Sequence, residues 1–454
     1  MVKIMELKKY KDNNYKRKSY VILVIGFLLL SISSYLFYKS YALYEEKKDF
    51  DVINGTVEDP GDIYFAYYID GVISRNMPLQ NTGYTLDEAK SNCNNGVVPT
   101  WDNASWEAKM NYKNYSATTN TRTKCTLYFN KTAKTVKTAL GNIEVNSYTP
   151  DFTKSACDDS SCESSEKGIY ETTDYDGKPT YYYRGSVENN YVNFAGFYWR
   201  IIRINSNGSI RMIYDGTSAH QNGESSTDRQ YGTSVFNTSI ENNMYVGYMY
   251  TSGEAHGTGT SSTIKTNADK FYTDKLLSYA SKLDTNVGFC GDRSSLNLQA
   301  NVGTGNIVTY YKGYLRLESS NPTLTCEETR DYYTVSNAVK GNKALFYPIG
   351  LISMDEIIYA GHAGGIFDGS YSYTKKNITS YLATGNSFWT MTPAGGYYPF
   401  GLTNWIAFNF YVFNTGMIDD ISVFDSYGLR PVINLKSNVT ITGIGTMTDP
   451  YIVN

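Results

Sequence analysis

The feature that most constrains this chain is a run of twenty residues near its N-terminus that carries no charge. Residues 19–38 read SYVILVIGFLLLSISSYLFY, and a helix of this length spans the hydrocarbon core of a bilayer, about 30 Å. Residues 1–18 before it hold seven basic and two acidic side chains, and the positive-inside rule keeps such a segment in the cytoplasm. We therefore predict a single-pass protein of the cell membrane, anchored through residues 19–38, with everything after Lys39 extracellular.

Two other interpretations of this segment are open. A cleaved signal peptide would need a small-residue cleavage site, and no A-x-A-like site follows before Lys39. A buried core helix is less compatible with flanking lysine clusters than a bilayer span is. The membrane anchor is the preferred interpretation.

Composition argues against nucleic-acid binding and against chemistry that depends on histidine. The 454 residues have a formal net charge of −3, with 19% charged residues, whereas nucleic-acid-binding domains usually present a basic face. Three histidines leave little room for a His-rich metal site or reaction centre. The sequence holds no G-x-S-x-G, H-E-x-x-H or P-loop motif. We predict no cofactor, no metal and no nucleic-acid partner, and the oligomeric state is left open.

The six cysteines all follow the apolar run and are even in number, as expected of disulfides in an extracellular region. Zinc would need C-x₂₋₄-C pairs, and only Cys157 and Cys162 come near this spacing. Sequence order favours three pairs, although six cysteines allow fifteen pairings. The favoured pairs are Cys93–Cys125, Cys157–Cys162 and Cys290–Cys326.

The extracellular part divides into four segments by composition. Residues 39–60 read as a stem, and residues 61–130 as a small β module. Residues 131–166 are rich in Thr, Ser and Asp and read as a linker with a cysteine loop. Residues 167–454 are predicted to form an α+β domain that is rich in antiparallel β-structure.

Local patterns in these segments predict hairpins and two helices. Asp-Gly turns at Asp70-Gly71 and Asp176-Gly177 each separate strand-like runs. FYWRIIRI and SIRMIY, separated by NSNG at 205–208, form the strongest hairpin pattern. Residues 263–283 have apolar positions near helical spacing. Ser353-Met354-Asp355-Glu356 is a capping box that predicts a short helix ending at Gly361.

Five segments together resemble a large C-terminal domain found in uncharacterised membrane-anchored surface proteins of low-GC Gram-positive gut bacteria. Residues 61–130 are similar to the small β module that often precedes that domain. At the level of fold the resemblance implies a C-type-lectin-like domain, in the branch shared with formylglycine-generating enzymes and variable phage receptor-binding proteins. The segments are YYYRGSVENNYVNFAGFYWRIIRINSNGSIRMIYDGT (181–217), YPIGLISMDEIIYAG (347–361), FWTMTPAGG (388–396), YGLRPVINL (427–435) and ITGIGTMTDPYIV (441–453).

Fold does not give function, so each property that the resemblance implies must be tested on residues. Formylglycine-generating activity needs a late cysteine pair, and no cysteine follows Cys326. The calcium-binding Glu-Pro-Asn, Gln-Pro-Asp and Trp-Asn-Asp motifs of sugar-binding C-type lectins do not occur in the candidate region. Asp419, Asp420 and Asp425 have the chemistry of a hard-cation site, but a solvated acidic loop is the preferred interpretation.

In some relatives of this fold a retroelement diversifies the last strands by rewriting adenines. Residues 395–426 contain no Lys, Arg, Glu or Gln and are dense in Tyr, Phe, Asn, Ile, Asp, Ser and Val, which adenine changes in AAY codons can reach. Trp405 and Met417 are not reachable in this way and would be fixed scaffold. The resemblance thus implies that 395–426 is a ligand face, and diversification of that face is a hypothesis.

This stretch mixes flat aromatic groups with small polar ones, as antibody loops do. A strand over residues 408–413 must alternate, and we predict that Asn409, Tyr411 and Phe413 face outward while Phe408, Phe410 and Val412 are buried. The opposite assignment, with these aromatics in the core, is the alternative. The full predicted ligand-binding set is Tyr397, Tyr398, Phe400, Asn404, Trp405, Asn409, Tyr411, Phe413, Asn414, Asp419, Asp420 and Phe424.

The sequence therefore favours a surface protein that binds an extracellular protein or glycan, as an adhesin or receptor. Two other classes stay open, namely an enzyme of the cell envelope that acts on glycans and a purely structural surface protein. His220 and His256 lie in Gly/Ser-rich stretches and are predicted to be surface residues. No catalytic residues are predicted.

Overall fold

The computed structural model describes most of the chain after residue 62. The described ranges are 63–80, 82–94, 96–111, 123–156, 166–241, 243–296, 309–362, 380–397 and 406–454, with Ile63, Thr309 and Tyr397 described by their backbone alone. The predicted span 19–38, the stem 39–60, Cys157 and Cys162 lie outside these ranges. Within them, no helix combines the length and the apolar character needed to cross a bilayer.

The first described part of the chain is a small β module. Its strands are β1 (Ile63–Ile69), β2 (Val72–Ser74), β3 (Tyr84–Leu86), β4 (Asn92–Cys93), β5 (Val98–Asp102), β6 (Glu107–Asn111) and β7 (Thr123–Lys131). β1 pairs antiparallel with β2 and parallel with β7. Asp70 and Gly71 have φ angles of 50° and 82°, the positive values of a type I′ turn, so the predicted Asp-Gly hairpin is confirmed.

The core of this module lies on one face of β7. Because side chains alternate along a strand, Cys125, Leu127 and Phe129 point to the same side, and each is at most 1% exposed. Cys93 on β4 is directly opposite Cys125 and forms a disulfide with it. This pairing was predicted from sequence order and is confirmed.

The rest of the chain is mostly β-structure with four short α-helices among the described residues. The helices are α1 (Val136–Leu140), α2 (Thr263–Phe271), α3 (Lys312–Glu318) and α4 (Met354–Tyr359). The strands are β8 (Lys134–Thr135), β9 (Gly168–Thr173), β10 (Pro179–Arg184), β11 (Tyr191–Phe194), β12 (Phe197–Ile204), β13 (Ile210–Gly216), β14 (Thr233–Val235), β15 (Met249–Tyr250), β16 (Thr260–Ser261), β17 (Phe289–Cys290), β18 (Thr309–Tyr310), β19 (Tyr332–Tyr333), β20 (Ile349–Gly350), β21 (Phe388–Tyr397), β22 (Ile406–Val412), β23 (Ile418–Ser422), β24 (Ser426–Gly428), β25 (Val432–Leu435), β26 (Thr440–Thr442) and β27 (Tyr451–Val453).

The largest sheet is built around the predicted hairpin β12–β13. Its strand order is β20-β25-β13-β12-β11-β27-β26-β8, and β10 with β9 joins it through β12. All seven residues of β13 are buried, as their β-branched and aromatic composition indicated. The predicted β9–β10 hairpin is also confirmed, with Gly177 at φ 79° in its turn.

The segment predicted to be a linker contributes to this sheet. β8 pairs with β26, and the helix α1 that follows β8 buries Val136 and Leu140, which are 0% and 3% exposed. The spacing of these two residues, i and i+4, places them on one helix face. The polar composition of 131–166 concealed this short apolar pattern.

A second sheet holds the predicted ligand-binding stretch. Its order is β14-β24-β21-β22-β23, with β18 paired to β21. The largest hydrophobic core among the described residues lies between this sheet, the large sheet and the helices. The α-helix predicted over 263–283 ends at Phe271, and π and 3₁₀ turns continue it to Lys282. The capping box of α4 forms as predicted, because Ser353 accepts from Glu356 N and the Glu356 side chain accepts from Ser353 N.

Candidate functional site

The described members of the predicted ligand-binding set lie on strands β21, β22 and β23 and on the turns that follow β22 and β23. β21 ends at Tyr397 and β22 begins at Ile406, and we call this the 397/406 end. The seven residues of β22 extend about 20 Å to the turn at 413–417. Val423 N–H donates to Ala407 O at 3.0 Å near the start of β22, so Phe424, the next residue, lies beside the 397/406 end. Asn414, on the turn at the other end of β22, therefore lies far from Phe424.

The prediction that Asn409 and Tyr411 face outward is wrong. Asn409 is 0% exposed, and its Nδ2 donates to Thr390 O at 3.0 Å. Tyr411 is 4% exposed and packs against Trp389 and Tyr427. Both side chains therefore belong to the core.

On the opposite face of β22, Phe410 and Val412 are buried as predicted, while Phe408 is half-buried. Phe410 is 1% exposed and packs against Tyr314 of α3, with ring centroids 4.9 Å apart. The physical reason is that β22 is an internal strand with an α-helix on one face and an aromatic cluster on the other. The prediction assumed that one face of this strand is exposed to solvent, whereas an internal strand covered on both sides has neither face exposed.

Asp419 and Asp420 point to different faces of the sheet. Asp419 is opposite Tyr411 and Asp420 is opposite Phe410, and directly opposed residues in an antiparallel pair share a face. The two carboxylates therefore do not converge on one cation. No cluster of three potential metal ligands occurs in the ranges that the structure describes.

Two exposed aromatic side chains lie near the 397/406 end. Phe424 is 57% exposed, and Tyr310, opposite Gly395 in the β18–β21 pair, is 37% exposed. Burial raises the pKa of Tyr310, and the negative charge of Asp420 adds to this rise. The predicted site residues Tyr398, Phe400, Asn404 and Trp405 follow Tyr397 in sequence and lie outside the described residues.

The other end of β22 is held by a buried histidine. His362 Nδ1 donates to Gly416 O at 2.5 Å, and its Nε2 lies 2.5 Å from Ser380 Oγ. Burial lowers the pKa of His362 to about 4, so the ring is neutral at pH 7. The carbonyl fixes the proton on Nδ1, and Nε2 then accepts from the Ser380 hydroxyl. Phe413 is half-buried and Asn414 is exposed on the turn that this ring secures.

A polar cleft that the sequence did not predict lies beside α3 and α4. We call it the Arg316 cleft; its cavity volume is about 30 Å³, which is room for about one or two water molecules. Arg316 holds Asp355 through two contacts of 2.7 and 2.9 Å and also contacts Asp292. Burial raises the pKa of Asp292, against the effect of Arg316, and its φ of 43° is unusual for a residue with a side chain.

Two more arginines complete the wall of this cleft. Arg203 Nε donates to Glu356 Oε1 at 3.1 Å and its Nη1 donates to Asp174 Oδ1 at 3.2 Å. Arg211 Nε lies 2.8 Å from the same Glu356 oxygen but is not aligned for a hydrogen bond. The Cys290–Cys326 disulfide, predicted from sequence order and confirmed, borders the cleft through Cys290.

Three arginines surround Asp215 elsewhere in the domain. Arg229 Nε and Arg430 Nη2 donate to Asp215 Oδ1 at 3.0 and 2.9 Å, and Arg200 Nη1 is 3.9 Å from Oδ2. All four side chains are buried. Burial lowers the pKa of Arg430 to about 9, although Asp215 opposes this shift. The cluster joins β12 and β13 to the segment before β25, and we assign it to the scaffold.

The prediction that His220 is a surface residue is also wrong. His220 is 5% exposed and lies between Glu224 and Asp228. His256 is mostly buried as well, with its Nδ1 2.9 Å from Asp331 Oδ2. Gly and Ser in the surrounding sequence indicated loops, but not that carboxylates would fold over the rings.

Comparison of the chain with models of protein families, with curated proteins and with solved structures gives no match.

Proposed function

We propose that this is a membrane-anchored surface protein whose C-terminal domain binds an extracellular protein or glycan. The observation that carries this proposal is the position of Phe424, which is 57% exposed beside the 397/406 end of the sheet. An exposed aromatic side chain on a rigid support provides contact area at low entropic cost. Tyr310 on β18, opposite Gly395 near the same end of the sheet, adds a second exposed ring.

The support for this surface is unusually well fixed. β21 and β22 are packed on both faces, and the network around Asp215 ties the segment before β25 to the centre of the large sheet. Rigid strands with variable connections are a common arrangement for recognition sites. We extend the proposal to a C-type-lectin-like fold and to diversification of residues 395–426, both of which rest on the sequence resemblance.

A glycan and extracellular-protein array probed with the full chain tests the proposal. The wild type is compared with a variant that carries Tyr397→Ala and Tyr398→Ala, and with Phe424→Ala. Binding that is lost in both variants supports recognition at the 397/406 end. Binding that persists in both places the ligand elsewhere.

The Arg316 cleft favours a second candidate, an enzyme of the cell envelope that acts on glycans. Asp292 is a buried carboxylate with a raised pKa in a cleft, which is a common property of active-site acids. Against this, Arg316 neutralises both Asp292 and Asp355. Turnover of cell-wall glycan fragments that Asp292→Asn abolishes and Phe424→Ala leaves intact would favour the enzyme.

The membrane topology is part of the same proposal. Residues 19–38 serve as the anchor and the C-terminal domain lies outside the cell. Protease treatment of intact cells should digest the described domain and leave the N-terminal basic segment protected. Protection of the C-terminal domain instead would contradict this orientation.

A further inference from the structure

One wall of the Arg316 cleft is a short segment between α3 and β19. We call residues 322–327 the strap, and its members Thr323, Leu324 and Thr325 line the cavity. With the strap in place, the cavity volume of about 30 Å³ admits water but nothing as large as a sugar ring. A larger molecule can therefore reach the charged groups of the cleft only if a wall moves.

Few non-covalent contacts hold the strap. It contains no helix or strand, and no backbone–backbone hydrogen bond joins it to another described segment. Two hydrogen bonds to side chains hold its first half, because Tyr359 Oη donates to Pro322 O at 2.8 Å and Thr323 N donates to Asp355 Oδ1 at 3.0 Å. Leu324 packs against the aromatic cluster that includes Tyr359.

A covalent bond holds the second half of the strap. Cys326 forms a disulfide with Cys290, which lies on β17 and is fixed by the pairing of β17 with β19. The other contact is an ion pair between Glu327 and Lys312, whose side chains are 53% and 36% exposed, and such a pair contributes little. The disulfide is therefore the main tie of this half of the wall.

The two confirmed disulfides differ in what they hold together. Cys290 and Cys326 are both half-buried, so a thiol can approach them, and one of them lies on the strap. Cys125 is 1% exposed and lies opposite Cys93 in the paired strands β4 and β7. Backbone hydrogen bonds keep those two strands together without the disulfide, whereas the strap has no such hydrogen bonds.

We propose that the Cys290–Cys326 disulfide is a redox latch that holds the strap closed over the Arg316 cleft. A dithiol reductant opens the latch by thiol–disulfide exchange. One thiolate attacks a sulfur atom of the pair and breaks the S–S bond, and the second thiolate then displaces the protein sulfur from the mixed disulfide. The reductant loses two electrons and two protons and becomes a disulfide, while Cys290 and Cys326 become thiols.

The opening is local. The strap contributes no residue to the largest hydrophobic core, so the domain stays folded when the strap moves away. Reduction then exposes Asp355, which is 3% exposed in the closed form, together with its partner Arg316. The latch is a property of the fold and does not depend on the proposed ligand or on the enzyme alternative.

Carboxyl labelling of the full chain tests the latch. The protein is reduced with dithiothreitol, the freed thiols are alkylated, and carboxylates are labelled with a carbodiimide and glycine ethyl ester before peptide mass spectrometry. Asp355 should be labelled at least about tenfold faster than in the oxidised protein, because hydrogen bonds to side chains are then the main ties of the strap. Asp215, which is 0% exposed, is the internal control and should stay unlabelled.

Two double variants separate this latch from the other disulfide. Cys290→Ser with Cys326→Ser should label Asp355 rapidly without any reductant. Cys93→Ser with Cys125→Ser is the matched control and should keep the slow labelling and its response to dithiothreitol. The wild-type comparison needs neither variant, so a failure of either to fold does not end the test.

Three results would overturn the proposal. Equal labelling of Asp355 in the oxidised and reduced wild type would show that the disulfide does not control the wall. A parallel rise at Asp215 would show that reduction unfolds the domain. Dithiothreitol that reduces Cys93–Cys125 but leaves Cys290–Cys326 intact would show that the latch is closed to thiols.

Discussion

The ring of Tyr411 stacks on that of Tyr427, with centroids 4.7 Å apart and planes at 27°. Tyr411 lies on the internal strand β22, and Tyr427 lies on β24, which pairs with β14. Trp389 packs against both rings. The aromatic density of 395–426 thus belongs partly to the core of the domain, whereas Phe424 is exposed.

Tyr411→Ala should therefore reduce stability. Removal of a buried aromatic ring costs about 3–5 kcal/mol in the free energy of unfolding, whereas Phe424→Ala should change it by less than about 0.5 kcal/mol. Urea denaturation of both variants measures the difference. Equal stability of the two variants would contradict the burial of Tyr411.

Acid should weaken the fold through His362. Its folded pKa of about 4 is below the usual value of about 6.5, so protons bind the unfolded chain more tightly. The stabilisation is fully present above about pH 6.5 and is lost as pH falls towards 4, by about 3 kcal/mol. Denaturation of the wild type at several pH values should show that the free energy of unfolding falls as the pH is lowered from 6.5 to 4.

His362→Gln is the comparison for this measurement. The variant should be less stable at pH 7, because glutamine fits the Gly416 and Ser380 partners less well. It should lack the part of the decrease in the free energy of unfolding between pH 6.5 and 4 that His362 causes. An identical slope in both proteins would assign the acid sensitivity to other groups.

Arg316 should be important for the stability of the folded protein, because it is the cationic partner of two buried carboxylates in the Arg316 cleft. Arg316→Met leaves Asp292 and Asp355 buried without a cationic partner, and loss of one member of such a group costs about 3–5 kcal/mol. Adding Asp292→Asn should recover part of this loss. Arg330→Met is the control, because Arg330 is 68% exposed and its ion pair with Glu328 contributes little.

The Cys290–Cys326 disulfide should stabilise the fold by a similar free energy. It closes a loop of 36 residues, for which chain entropy predicts about 4 kcal/mol. Replacing both cysteines by serine should lower the free energy of unfolding by that order. No change in denaturation would mean that the pair is reduced or that the unfolded chain is already constrained.

Much of the local structure could be predicted from sequence because it depends on neighbouring residues. The Asp70-Gly71 and Asp176-Gly177 turns, the β12–β13 hairpin and the Ser353 capping box all follow from short patterns. Two of the disulfides followed from chain order. These features need no knowledge of which elements pack together.

The candidate site was less predictable because burial is set by tertiary neighbours. Whether Tyr411 or Phe410 faced the core could not be decided from alternation, since α3 covers one side and Trp389 the other. The Arg316 cleft joins residues more than sixty positions apart in sequence, such as Asp292 and Asp355. His220 gave no signal because its carboxylate partners are common in polar loops.

The most direct test of the central claim compares two exposed phenylalanines. Phe424 lies beside the 397/406 end, while Phe346, 84% exposed, lies on the connection between β19 and β20. For the strongest binder found on the array, Phe424→Ala should raise the dissociation constant at least about tenfold, as expected for an aromatic hot spot. Phe346→Ala should leave the dissociation constant within about twofold of the wild-type value. Unchanged affinity in Phe424→Ala, or an equal loss in both variants, would contradict recognition at the 397/406 end.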